Sequence, residues 1–91
     1  MKRTMKNDVI EFIESTVWGY INGIVDDNYD LMTLEGWTDY IMTSLDMDAQ
    51  GGQRVNGLEF QHLYFYGKDK IKKEAIKYLT TTEDIQEYIV K

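Results

Sequence analysis

The sequence predicts an all-α protein in which residues 1–91 form a single acidic helical domain of four to five short helices. Three observations support this fold class. A chain of 91 residues has the usual length of one domain. Its hydrophobic fraction of 43%, with seven Tyr, three Phe and two Trp, suits a chain that buries a core. It contains no Pro, the residue that most strongly interrupts helices.

The first helix is predicted over residues 8–25, with Asn7 or Asp8 as its cap. Apolar residues recur there at helical spacing and are expected to be buried, among them Ile10, Ile13, Val17 and Ile24. Phe12 and Trp18 lie off this stripe. We expect a second layer of helices to cover them, although an exposed protein interface is the alternative.

The second helix is predicted over residues 33–46, with Thr33 as its cap. Its inward positions are Trp37, Ile41 and Leu45. Glu35, Asp39 and Asp46 fall on one outer row, where side chains four positions apart stand roughly 5–6 Å apart at Cβ.

Two further helices are predicted over 68–79 and 82–90, and Ile71 and Leu79 are expected to be buried. The aromatic segment 58–66 between them is ambiguous. Asn56 and Glu59 resemble a helix-capping pair, which favours a buried helix. Asn56-Gly57 is also a hairpin signal, so a small β-hairpin near 54–66 is the alternative.

The charges are distributed unevenly along the chain. Residues 7–53 contain ten Asp or Glu and no Lys, Arg or His, within a net charge of −6. Most solvated helices mix signs and gain from neighbouring pairs, so a surface of one sign indicates a basic partner. The expected partner-binding residues are Asp26, Asp27, Asp30, Glu35 and Asp39.

The one basic patch extends from Lys68 to Lys77, and Tyr64 and Tyr66 beside it offer surfaces for stacking bases. Asp69 and Glu74 lie within the patch and favour local ion pairing. The acidic first half also repels phosphate. The sequence therefore argues against direct nucleic-acid binding.

The strongest pattern with chemical meaning is Asp46-x-Asp48-x-Gln50-Gly51, which resembles the start of an EF-hand calcium loop. The match fails because Glu59 comes two positions too late, so no metal is expected. His62 is the only His, and no nucleophile or orienting partner is evident beside it. We predict a protein that is not an enzyme and needs no cofactor.

The chain has no Cys, which suits a reducing compartment, and no apolar run of the roughly 20 residues that would span a bilayer. We therefore expect a cytoplasmic protein without membrane contact.

The leading hypothesis is an acidic protein-binding module that blocks a basic, nucleic-acid-binding groove on another protein. In size and composition the chain resembles phage and mobile-element accessory proteins, including anti-CRISPR and antirestriction inhibitors. One alternative is a helical structural or regulatory module acting through an apolar surface, including as a homodimer. The third is a calcium-responsive or enzymatic protein using the 46–59 loop.

Overall fold

The computed structural model describes residues 4–27, 30–55 and 58–90, without the side chains of residues 25–27 and 55. Within these ranges there are three α-helices, Met5–Asp27 (α1), Leu34–Gln50 (α2) and Lys68–Thr81 (α3). Two 3-10 helices span Phe60–Tyr66 and Glu83–Tyr88. Four two-residue strands are Met32–Thr33 (β1), Arg54–Val55 (β2), Leu58–Glu59 (β3) and Ile89–Val90 (β4). The predicted mostly helical, compact fold is confirmed.

Helix α1 begins at Met5, three residues earlier than predicted, because Thr4 precedes it with a capping side chain. Its Oγ1 accepts a hydrogen bond from the backbone N of Asn7 at 3.2 Å. Ile13 and Val17 are buried as predicted. Burial was wrongly expected of two others: Ile10 lies half-buried at the wall of a groove between α1 and α3, and Ile24 packs only partly against the core.

The aromatic residues off the main stripe of α1 are covered by other elements, as expected. Phe12 is buried and meets the ring of Phe60 edge-on, with ring centroids 5.2 Å apart. Trp18 is half-buried, and its Nε1 donates a hydrogen bond of 3.0 Å to Tyr78 Oη of α3. The off-stripe positions therefore serve the packing of α1 against its neighbours.

Helix α2 starts as predicted, because Thr33 Oγ1 accepts a hydrogen bond from the backbone N of Gly36 at 3.1 Å. Trp37, Ile41 and Leu45 are all fully buried. The helix continues to Gln50, four residues beyond its predicted end, so residues expected to form a loop complete its last turn.

Segment 58–66 combines both structures that the sequence left open. Strands β2 and β3 form an antiparallel pair, and Asn56 and Gly57 between them lie outside the described residues. The favoured buried helix is present as a 3-10 helix, which follows β3. Its side chains three positions apart eclipse one another. The rows are Phe60, Leu63 and Tyr66; Gln61 and Tyr64; and His62 and Phe65. Only Phe60 and Leu63 are buried.

Gly67 separates this 3-10 helix from α3 and has a φ of +105°, which an L side chain rarely adopts. In α3, Ile71 and Leu79 are buried as predicted. Gln86 satisfies carbonyls at the end of α3, because its Nε2 donates to Leu79 O at 2.7 Å and to Thr82 O at 2.9 Å.

The helix predicted over 82–90 is present, but it is a 3-10 helix and is shorter than predicted. A 3-10 helix ends at Tyr88, and β4 then pairs in parallel with β1, Met32 opposite Ile89 and Thr33 opposite Val90. The β-branched pair Ile89-Val90 suits a strand better than a helix. The buried Trp37 holds this segment, since its Nε1 donates to Tyr88 O at 3.1 Å.

Candidate acidic binding surface

The five sequence-predicted binding residues lie where α1 ends and α2 begins. Asp26 and Asp27 occupy the last turn of α1, and their side chains are outside the described set. Asp30 is exposed in the connection to β1, and Glu35 and Asp39 are exposed on the first two turns of α2. We call Asp30, Glu35 and Asp39, with the last turn of α1, the acidic end.

Tyr20 joins the two helices at this end. Its hydroxyl donates a hydrogen bond of 2.7 Å to the backbone carbonyl of Asp30. Its ring meets those of Trp37 and Tyr40 edge-on, each with centroids 5.0 Å apart. The Thr33 cap and the pairing of β1 with β4 fix the following residues. The acidic end therefore rests on ordered elements, which lowers the entropy lost on binding.

Two helix termini contribute to the field at the acidic end. The carbonyl end of α1 carries partial negative charge. Glu35 lies at the favourable amino end of α2. Such effects amount to about 0.3–1 kcal/mol per exposed charge. The carbonyl end of α1 therefore adds negative potential to that of the exposed carboxylates.

Lysines from α3 approach the outer row of α2, which the sequence predicted as wholly acidic. A groove of about 260 Å³ between α2 and α3 is lined by Glu35, Asp39 and Lys72 together with apolar side chains. Further along, Lys68 Nζ lies 3.4 Å from the Asp46 carboxylate. The surface around this row therefore carries both negative and positive charges. The positive charges come from lysines that lie more than twenty residues later in the chain.

Asp46 is withdrawn from the acidic surface by two partners. The Tyr64 hydroxyl donates a hydrogen bond to its carboxylate, and Lys68 pairs with the same group. The Tyr64 bond, with Lys68 adding to it, lowers the pKa of Asp46 below 3.8. Burial and the bond to Asp46 together raise the pKa of Tyr64 to about 12. This cluster fastens the first 3-10 helix to α2.

The acids that resembled a calcium loop lie apart in structure. Asp46 and Asp48 belong to the helical last turns of α2, and Asp46 is engaged as described. Glu59 accepts hydrogen bonds from Arg54 at 3.3 Å and Gln61 at 2.6 Å. Within residues 4–27, 30–55 and 58–90, no group of three His, Cys, Asp or Glu side chains is arranged to hold a metal ion.

The sequence reasoning missed one exposed aromatic. Phe65 is 81% exposed, and its ring stacks on that of His62 with centroids 6.0 Å apart and 24° between the planes. The signal available in the sequence was the spacing of three, which places two side chains in one row only if the segment is a 3-10 helix.

No significant similarity links the chain to a protein-family model, to a curated protein or to a solved structure. In the part of the chain that the structure describes, no helix has the length and hydropathy needed to cross a bilayer.

Proposed function

We propose that this protein is a non-enzymatic binding module that presents its acidic end to a basic surface of another protein. Where that surface is a nucleic-acid-binding groove, occupancy blocks the groove by competition, as in inhibitors of the anti-CRISPR and antirestriction type. The observation that carries the proposal is the exposure of Asp30, Glu35 and Asp39 in a stretch, residues 7–53, that contains no base.

The energetics of the acidic end favour a cationic partner. Asp30, Glu35 and Asp39 are exposed carboxylates of one sign, and a partner's Lys or Arg would offset their negative potential. Leu31, 46% exposed, lies next to Asp30 and supplies an apolar contact among the charges. Charged rims with an apolar contact are a common composition of protein interfaces.

Lys72 limits how much of α2 can contribute. It shares a groove wall with Glu35 and Asp39, so part of their field is offset before any partner arrives. Glu35 and Asp39 are nevertheless exposed, so both can contact a cationic partner and steer its approach.

The test compares two double charge reversals that change the net charge equally. Glu35→Lys with Asp39→Lys reverses the acidic end, and Glu83→Lys with Asp84→Lys reverses two exposed acids in the second 3-10 helix. Partners are captured from native host lysate at low and moderate salt, and the affinity of a captured protein is then measured. The first reversal removes two attractive charge contacts and introduces two repulsive ones. At about 0.2–1 kcal/mol for each contact, it should weaken binding by about 1–4 kcal/mol.

The control reversal should bind nearly as the wild type does, and duplex DNA should displace the module from a groove-type partner. Added salt should weaken the wild-type complex, since the Debye length is about 8 Å at physiological ionic strength. Binding that ignores salt and both reversals contradicts the proposal.

A second candidate has its own observation. Ile76 and Val90 are exposed on either side of the half-buried Leu34, along the two grooves that this residue borders. This strip suits a helical module that works through an apolar surface, including as a homodimer. Light scattering of the wild type and of Ile76→Lys tests it: a dimer that the substitution dissociates supports this candidate, and a wild-type monomer contradicts its homodimeric form.

A further inference from the structure

The outward row of the first 3-10 helix holds two aromatic rings that the core does not use. Phe60 and Leu63 anchor this helix in the interior, and the eclipsed geometry directs His62 and Phe65 away from it. Phe65 is 81% exposed while stacked on His62. Because most of the Phe65 ring is exposed, this platform is available to a ligand.

Cations flank the platform on both neighbouring rows. Lys70 Nζ lies 6.0 Å from the centroid of the Tyr66 ring, and Lys68 Nζ lies 5.7 Å from that of Tyr64. Lys68 is shared with Asp46, so Lys70 is the stronger source of positive potential. Lysine side chains thus lie over the two tyrosine rings that the sequence suggested for stacking bases. The Phe65 ring is instead exposed to solvent.

The basic side chains continue along α3. Lys70, Lys73 and Lys77 are exposed, with three and then four positions between successive lysines. This spacing places them on one face over roughly 10 Å of helix. Lys6 of α1 lines the same groove as Lys77, and Glu74 also lines that groove. We call these four lysines the lysine stripe; it opposes the net charge of the molecule.

We propose that the His62–Phe65 platform and the lysine stripe bind single-stranded nucleic acid. An exposed ring that stacks a base, beside cations that contact the backbone, is the combination by which single strands are held without sequence preference. A duplex keeps its bases stacked on one another and cannot use Phe65. This inference is independent of the acidic end, which uses other residues.

The acidic half does not prevent such binding but limits its strength. The acidic end lies at the first turns of α2, whereas the cluster at Asp46 that holds the platform lies about three turns further along. The platform is therefore separated from the acidic end by more than the Debye length of about 10 Å at 0.1 M salt, whereas the lysine stripe lies on the helix that borders Glu35 and Asp39. Glu74 and Asp69 lie closer, so affinity should be modest and highest at low salt.

The test is fluorescence anisotropy of the full chain with labelled oligo-dT and oligo-rU of about twelve nucleotides, and with a duplex of equal length. Both single strands should bind and the duplex should bind more weakly. Phe65→Ala should lower the affinity by about 5- to 100-fold, the usual effect of losing one stacking ring. Phe65→Trp should retain binding, and Met47→Ala, at an exposed apolar residue of α2, should have no effect.

Salt dependence separates the stripe from the platform. Four phosphate contacts predict a slope of log affinity against log salt of about −2.8, at roughly 0.7 per contact. Lys70→Gln with Lys73→Gln should reduce its magnitude by about 1.4, and Phe65→Ala should leave it unchanged. Because all these side chains are exposed, circular dichroism should confirm an intact fold. Absence of single-strand binding at low salt, or equal binding by Phe65→Ala and wild type, overturns the inference.

Discussion

Replacing Tyr64 with Phe removes the hydroxyl that joins the first 3-10 helix to α2. A hydrogen bond to a charged acceptor contributes about 1.5–3 kcal/mol. The Asp46 side chain is 42% exposed, so solvent reduces this value toward that of surface pairs, about 0.2–1 kcal/mol. We expect Tyr64→Phe to lower the free energy of unfolding by about 1 kcal/mol at neutral pH.

Urea unfolding of Tyr64→Phe, Asp46→Asn and the double variant isolates the interaction as a coupling energy. Lys68→Met serves as the control, because it removes the weaker partner and keeps the hydroxyl. The folded-state pKa of Asp46 is lowered, so its stabilising contribution is present above its ordinary value of 3.8 and is lost as pH falls through the folded value. The stability difference between wild type and Tyr64→Phe should therefore shrink in acid. A coupling energy below about 0.3 kcal/mol at neutral pH refutes the reasoning.

Two further substitutions test the packing. Gly19→Ala should stabilise the protein by about 0.5–1 kcal/mol, because α1 gains a better helix former and no atom lies within 4 Å of the new Cβ; a lower melting temperature contradicts this. Trp37→Phe should destabilise the fold by about 2–4 kcal/mol, because it removes buried volume and the hydrogen bond to Tyr88 O. Trp18→Phe, at a half-buried site, should destabilise it less. Equal losses of stability in the two variants would contradict these roles.

The three α-helices were predictable because each has a long apolar stripe. Ile13, Ile41 and Ile71 recur with neighbours at helical spacing, and a stripe of that length has one stable orientation against a core. The Thr33 cap was equally local. The boundaries were less predictable: the cap of α1 is Thr4, upstream of the predicted caps Asn7 and Asp8, and α2 runs through Asp48 because no residue there ends it.

The short strands and 3-10 helices depend on tertiary contacts, which the spacing of apolar residues in the sequence does not predict. An apolar run such as 58–66 suits an α-helix, a strand or a 3-10 helix, and burial of Phe60 and Leu63 alone selects the spacing of three. The sequence predicted which residues of the candidate site are acidic, but it did not predict which basic side chains lie near them and alter the electrostatic potential there. Pairing of Asp46 with Lys68, and the approach of Lys72 to Asp39, follow from the packing of α2 on α3.

The parallel pairing of β1 with β4 also has a consequence for the order of folding. The paired residues, Met32 with Ile89, are 57 positions apart, since 89 − 32 = 57. Closing a loop of that length costs roughly 3.6 kcal/mol of chain entropy. The pairing of two short strands contributes stabilising free energy only after that closure. This pairing should therefore form late, after the helices have docked and shortened the effective loop. Trp37, whose indole reaches Tyr88 just before β4, gives that final event a fluorescent reporter within the native sequence.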